Sequence, residues 1–355
     1  MASFAKSPVV LMLICFYFYF LPALVAQSPM SLEDNILPIF SSSTQYFGQS
    51  DPEIPRNKVN KTNFGLHEEY TWDSLLDALE PDEKLFFLQR HGEGWHNVAR
   101  RLINASYSDW QCHWSIEDGK GDIEWFDAEL TPRGHDQIAA LSTKIRTNDG
   151  FPMPDKFYVS PLRRTLQTWQ GTWSKMTDDT AVIKENAREK FGIDTESKRH
   201  SKSFIKKHFP DFEFESDFSD DDTSWENDKR EKAQHCRFRA ASLLEDIFEE
   251  AKDDEQVISI VLHSGIIYCL LNVVQHRTFV VPTGGMIPVV IKMEDTYKKY
   301  PLNDAFSDFD SWCPANLLTK VGASKEEVLN DAYIDYFDSE EDHAEKKKLF
   351  EAFIS

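Results

Sequence analysis

Four short apolar runs set the strongest limit on what this chain can fold into: Lys84–Gln89 (KLFFLQ), Phe157–Ser160 (FYVS), Val257–Leu262 (VISIVL) and Pro288–Lys292 (PVVIK). Each has strand length, and none shows the sustained polar alternation of a strand with one wet face, so each suits a strand covered on both sides. Helical patterns lie between them. Thr131-Pro132 opens one, with Thr as N-cap and Pro at the first helical position, followed by Ile138, Leu141 and Ile145 on one face. Ser160-Pro161 opens another, carrying Leu162, Leu166, Trp169 and Trp173 at helical spacing. A third follows His263-Ser264-Gly265, and a longer one runs from about Asp228 to Ala251. This alternation predicts an α/β sheet with mostly parallel strands.

Residues 1–26 place one Lys (Lys6) before an apolar run, Val9–Phe20, followed by a Pro and small residues. That is the layout of a secretory signal peptide, or of a signal anchor if it is not cleaved, and it predicts a secreted or secretory-pathway protein. Residues 27–68, rich in Ser, Pro and Asn, read as a surface lead-in, and residues 69–355 as one domain with insertions near 106–125 and 204–228. Between Asp211 and Asp228 lie nine carboxylates and no Lys or Arg, which reads as a solvated loop. The Trp-bearing stretch Trp110–Trp125 reads as an aromatic-lined mouth to a cleft, and the acidic end DYFDSEEDHAEKKK as an exposed helix. Outside the leader, Cys112, Cys236, Cys269 and Cys313 allow two disulfides in three connectivities, although Cys269, inside IIYCLLNVV, also suits a buried free thiol. Asn60-Lys-Thr and Asn104-Ala-Ser are glycosylation sequons.

Charge narrows the partners. Thirty-nine Lys plus Arg against 60 Asp plus Glu give a net charge of −21, which repels nucleic acid and anionic lipid. A small anion is admitted only where arginines gather locally. Three strand ends supply such a gathering. KLFFLQ runs into Arg90-His91-Gly92-Glu93-Gly94-Trp95-His96-Asn97, FYVS is followed by Arg163-Arg164, and VISIVL runs into His263. Ligands of an open parallel sheet bind outside the carboxyl ends of its strands. No HExxH, C-x-x-C, G-x-S-x-G or P-loop pattern occurs, so nothing points to a metal or other cofactor, a serine hydrolase or a Walker-type enzyme.

LQRHGEGWHN, SPLRRTLQT and VLHSG, in this order and each at a strand end, resemble the histidine phosphatase superfamily, phosphoglycerate mutases included. The resemblance is nearest to fungal phosphomutase-like proteins. DAELTPRGHDQ, AREKFGIDTESKR and PTGGMIPVVIK extend it, so that it spans roughly residues 69–293. It implies a three-layer α/β/α fold with a mostly parallel central sheet and insertions capping the site. It also implies a small phosphorylated substrate, with His91 as the nucleophile that becomes phosphohistidine. Arg90, Arg164 and His263 would surround the phosphoryl group, Asn97 would contact phosphate, Glu93 would lie beside the substrate and Glu189 would protonate the leaving oxygen. Glu93 and Asp194 are the alternatives for that proton. Arg163 then reads as a solvated helix residue beside Arg164, Ser264 as an N-cap, and Trp95 and His96 as residues lining or packing beside the cleft. Three activities fit: a phosphomonoester hydrolase, a mutase that returns the phosphoryl group to a substrate, or an inactive binding member.

Overall fold

The computed structural model describes residues 35–55 and 58–313. The leader 1–26, the start of the lead-in and the acidic C-terminal segment lie outside the described residues. Seven strands form the main sheet: β1 (Ile36–Ser42), β2 (Glu83–Arg90), β3 (Lys156–Val159), β4 (Ala181–Ile183), β5 (Glu213–Phe214), β6 (Val257–Leu262) and β7 (Met286–Lys299). Their order is β1-β7-β2-β6-β3-β4-β5. β2, β6, β3, β4 and β5 run parallel, while β7 lies antiparallel to both β2 and β1.

Helix α1 (Trp95–Leu102) follows the loop after β2, and α2 (Pro132–Arg146), α3 (Arg163–Thr172), α4 (Ala233–Glu250) and α5 (Ser264–Val273) pack against the sheet. Along β2 the side chains alternate between two buried faces. Phe86 and Leu88 pack with Leu243 and Ile247 of α4 and Leu270 of α5. Leu85 and Phe87 pack with Leu141 of α2 and Leu166 and Trp169 of α3. The result is the three-layer α/β/α architecture, and truncating Phe86 or Phe87 to Ala would cost about 3–5 kcal/mol.

Thr131 caps α2 as its sequence predicts, its hydroxyl accepting from Gly134 N at 3.0 Å with Pro132 at the first position. α3 starts later than expected, at Arg163. Ser160 still donates its N–H to Val261 O at 3.1 Å and so extends the ladder, and the residue before a proline is disfavoured in the helical region. His263, not Ser264, occupies the cap position of α5.

Further expectations are corrected. The lead-in is not a surface segment: Ile36–Ser42 form the edge strand β1, with Leu37 and Phe40 buried, and Phe47, Phe64 and Leu66 enter the core. Pro38 and the register shift between Pro38 and Phe40 break the alternation that would have marked the strand, and an edge position tolerates both. The acidic run is not simply solvated. Phe212 and Phe218 are buried in it, and Asp222 accepts from both terminal nitrogens of the buried Arg188 at 2.8 Å. Those partners come from residues 185–199, outside the run itself.

The cysteines pair as Cys112–Cys313 and Cys236–Cys269, so Cys269 is not a free thiol. Trp125 lines no mouth either: it is fully buried and donates its indole N–H to Glu117 O.

Candidate active site

The backbone of residues 90–94 is held from three sides. His91 N donates to Leu262 O at 3.0 Å, carrying the β2–β6 pairing one residue past the strand and setting His91 beside His263. At the start of β7, Gly284 N donates to His91 O at 2.8 Å and Gly285 O accepts from Arg90 N at 2.9 Å. On the third side the amino terminus of α2 touches the loop. A Cβ on Gly134 would come within 2.2 Å of Glu93 O, so only glycine permits this approach.

Within that frame His91 is buried, and its Nδ1 lies 2.7 Å from Gly92 O. A carbonyl only accepts, so Nδ1 carries the proton and Nε2 keeps its lone pair. Burial first, then Arg164 and Arg90, hold the imidazole pKa well below its usual value, so the ring is neutral. Thr168 links this loop to α3, accepting from Gly92 N at 3.1 Å and donating to Arg164 O at 2.6 Å.

Arg164 is buried as well. Its Nε donates to His263 Nδ1 at 3.2 Å and its Nη1 to Glu196 O at 2.8 Å. With Nδ1 accepting, His263 carries its proton on Nε2, which donates to Ser160 Oγ at 2.7 Å. The His91 and His263 ring centres are 5.0 Å apart, and His96 lies 5.2 Å from His91. Burial lowers the pKa of His96 and His263 strongly too, with Arg164 the next cause for each. Burial also lowers the Arg164 guanidinium, which the more distant carboxylates offset only in part. Neutral imidazoles beside guanidinium groups make a compact positive pocket in an acidic chain. Arg90 joins it from the end of β2, half-buried, with Nη1 donating to Val281 O at 3.1 Å.

The remaining expected residues divide. Glu93 borders the pocket, its backbone N donating to Gln137 Oε1 and its Oε1 accepting from the Thr131 hydroxyl, both at 2.8 Å. Asn97 is exposed and engaged locally: its Oδ1 accepts from Gly94 N at 3.0 Å and its Nδ2 lies 2.9 Å from His96 Nε2. Glu189 is buried against the start of α5, where its Oε2 accepts from Gly265 N at 2.9 Å and from the Ser264 hydroxyl at 3.3 Å. Its Oε1 accepts from Lys190 N. Asp194 is tied into the framework, 2.6 Å from Arg230 Nη1 and bonded to Ser197 Oγ. Arg163 is not solvated. It is buried and donates to Asp127 O at 2.6 Å and Phe126 O at 3.1 Å, anchoring the segment before α2.

Glu196, Thr168 and Ser160 lie inside the quoted motifs, which assign them no part in the site. By exposed area Glu196 is only half-buried, yet protein surrounds its carboxyl closely enough to penalise the charge. Burial first, then Asp194, raise its pKa to about 7 against the pull of Arg164 and Arg230. Among the described residues no group of three or more His, Cys, Asp or Glu is arranged to hold a metal ion.

The profile of the histidine phosphatase superfamily (branch 1) matches residues 111–279. Phosphomutase-like protein 3 of Candida albicans is 56% identical over 279 residues, covering 78% of this chain and 88% of that protein. A probable phosphoglycerate mutase of Arthroderma benhamiae is 33% identical over 293 residues, covering 73% and 86%. A phosphoserine phosphatase structure from Entamoeba histolytica, in complex with 3-phosphoglyceric acid, matches at 20% identity over 57% of this chain and 89% of that one, with a TM-score of 0.33. With 56% identity to a relative over 78% of this chain and 88% of that one, the protein belongs to the histidine phosphatase superfamily.

Proposed function

We propose that the protein is a phosphomonoester hydrolase acting through a phosphohistidine on His91. The observation that carries this reading is the bond from His91 Nδ1–H to Gly92 O, which leaves the Nε2 lone pair free in a pocket where burial, with Arg164 and Arg90, keeps the ring neutral. Arg90 and Arg164 hold the phosphoryl oxygens, and Nε2 attacks phosphorus. The N–P bond forms as the ester P–O bond breaks, and the leaving oxygen takes a proton from a carboxyl group. Water then attacks the phosphohistidine, giving a proton to the carboxylate left by the first step; the N–P bond breaks, inorganic phosphate departs and His91 returns to its neutral form.

Glu189 holds the position the motif assigns to the acid, but both its oxygens accept hydrogen bonds. Burial, then Asp194, raise the Glu196 pKa to about 7, so this carboxyl keeps its proton to a higher pH than an ordinary glutamate. Rate against pH for Glu189→Gln and Glu196→Gln separates the two: the true donor loses its alkaline limb. Phosphate release from a generic monoester, absent in His91→Ala, together with an acid-labile, alkali-stable label on the wild-type chain, tests the phosphohistidine. Release that persists in His91→Ala would sink it.

The names of the fungal relatives favour a second reading, in which the phosphoryl group returns to a substrate as in a mutase. Phosphate migration between glycerate positions without release would decide for it. The leader-like residues 1–26, two disulfides and two exposed sequons, Asn60 and Asn104, support a place in the secretory route, where hydrolysis is the more natural outcome. Recovery of a glycosidase-sensitive protein from medium tests that placement, and retention of an unmodified chain in the cytosol would refute it. Among the described residues no helix is long and apolar enough to cross a membrane.

A further inference from the structure

His96 carries a proton whose position the surrounding bonds determine. The Gly94 backbone N–H can only donate, so the Asn97 atom 3.0 Å from it is the amide oxygen. The other end of that amide is therefore an N–H donor, and it lies 2.9 Å from His96 Nε2, which accepts. A neutral imidazole has a single N–H, and burial with Arg164, His91 and Arg90 keeps this ring neutral. The proton is consequently on Nδ1. That atom is buried and has no hydrogen-bond partner among the described residues.

The surroundings supply a reason. The His96 ring is 5.2 Å from that of His91, and the charges that act on it most are the phosphoryl-binding arginines and His91 itself. Its Cε1 and Nδ1 press against Gly94, where a Cβ would come within 2.7 Å of either atom, so any other residue at 94 would push the ring away. A buried donor without an acceptor is costly, and such groups concentrate at functional sites.

We propose that His96 Nδ1–H donates to a phosphoryl oxygen held at His91, as a third donor beside Arg90 and Arg164. Asn97 then acts through His96 rather than on phosphate: by donating to Nε2 it fixes the tautomer that points a proton, not a lone pair, at the ligand. This inference rests on the reading of His91 as the nucleophile, but it is tested without turnover.

The experiment measures equilibrium binding of inorganic phosphate by calorimetry, with imidazole ¹⁵N shifts to report the tautomer. Wild-type His96 shows Nδ1–H. His96→Phe, which keeps a ring and removes the donor, weakens phosphate binding at least 10-fold and lowers kcat/KM by about 10²–10³, the range for loss of one transition-state donor. His96→Asn, whose amide N–H falls near the place of Nδ1, recovers most of both, whereas His96→Gln does not. Asn97→Asp still accepts from Gly94 but turns His96 to the Nε2–H form, and it weakens phosphate to a similar degree without touching the ligand.

Phosphate binding by His96→Phe at wild-type strength overturns the proposal, as does equal impairment of the Asn and Phe variants, which marks a packing role. If His96→Phe fails to fold, Asn97→Asp decides alone, and a flipped tautomer with unchanged phosphate affinity is the refuting result. Failure of the phosphohistidine reading shows separately, as an unlabelled wild-type chain that still binds phosphate.

Discussion

Arg164 and Arg188 are both almost wholly enclosed, and they sit in opposite electrostatic settings. Burial pulls the Arg188 guanidinium down, but Glu185 and Asp222 more than compensate and hold it above its usual range. Nearby Arg199 is closed in the same way by Glu185 and the carbonyls of Ser219, Asp220 and Asp221. Arg164 has a histidine nitrogen and a carbonyl instead, and among the described residues no carboxylate lies within ion-pair distance of it. One guanidinium is completed by the chain and serves the fold. The other keeps positive field that only an anion can take up, which is the arrangement a phosphoryl site requires.

The contrast can be broken most severely at Arg188. Arg188→Met leaves Asp222 buried without its main partner and should cost about 3–5 kcal/mol of stability, read by denaturant or thermal melting. Phosphate affinity in the protein that remains folded should stay near wild type. Arg164→Met should do the reverse, lowering kcat/KM by about 10²–10³ while the melting temperature holds or rises. Two variants that melt alike would abolish the distinction.

Glu196→Gln sharpens it from the ligand side. Because the Glu196 carboxyl stays protonated up to about pH 7, a wild-type rate that depends on this acid falls as pH rises through 7. The variant should lose that limb and about 10²-fold in rate at pH 6, the low end of what a general acid supplies. A limb that persists in the variant assigns the proton to another group. At the small end stands the pair of exposed Arg133 and half-buried Glu93, 3.6 Å apart. Arg133→Ala should change stability by less than about 1 kcal/mol, which gives the baseline for an ion pair whose cation water already screens.

The legible part of this molecule was whatever depends on local pattern. β2, β3, β6 and β7, the cap of α2 and the convergence of Arg90, His91, Arg164 and His263 all follow from short apolar runs and the residues just past them. β1 was hidden because a proline and a register shift interrupt an edge strand. The acidic run looked solvated because Arg188 and Arg199, which neutralise it, lie upstream of it in sequence. Arg163 and Arg164 show the limit most plainly. They are adjacent, identical and both buried, yet only three-dimensional packing gives Asp127 and Phe126 to one and His263 to the other. Glu196 escaped notice for a related reason, since nothing in TES announces a carboxyl enclosed by Asp194 and two arginines.

The strand β7 also imposes an order in time. Gly284 and Gly285, which hold His91 and Arg90 through backbone bonds, are made about 193 residues after His91, and Cys112 waits 201 residues for Cys313. At roughly 5–20 residues per second of synthesis, the loop of residues 90–94 exists for roughly 10–40 s before the wall supplied by β7 can be built. A nascent chain therefore carries the histidines and arginines of the pocket before the pocket itself, which closes only once the start of β7 has been made.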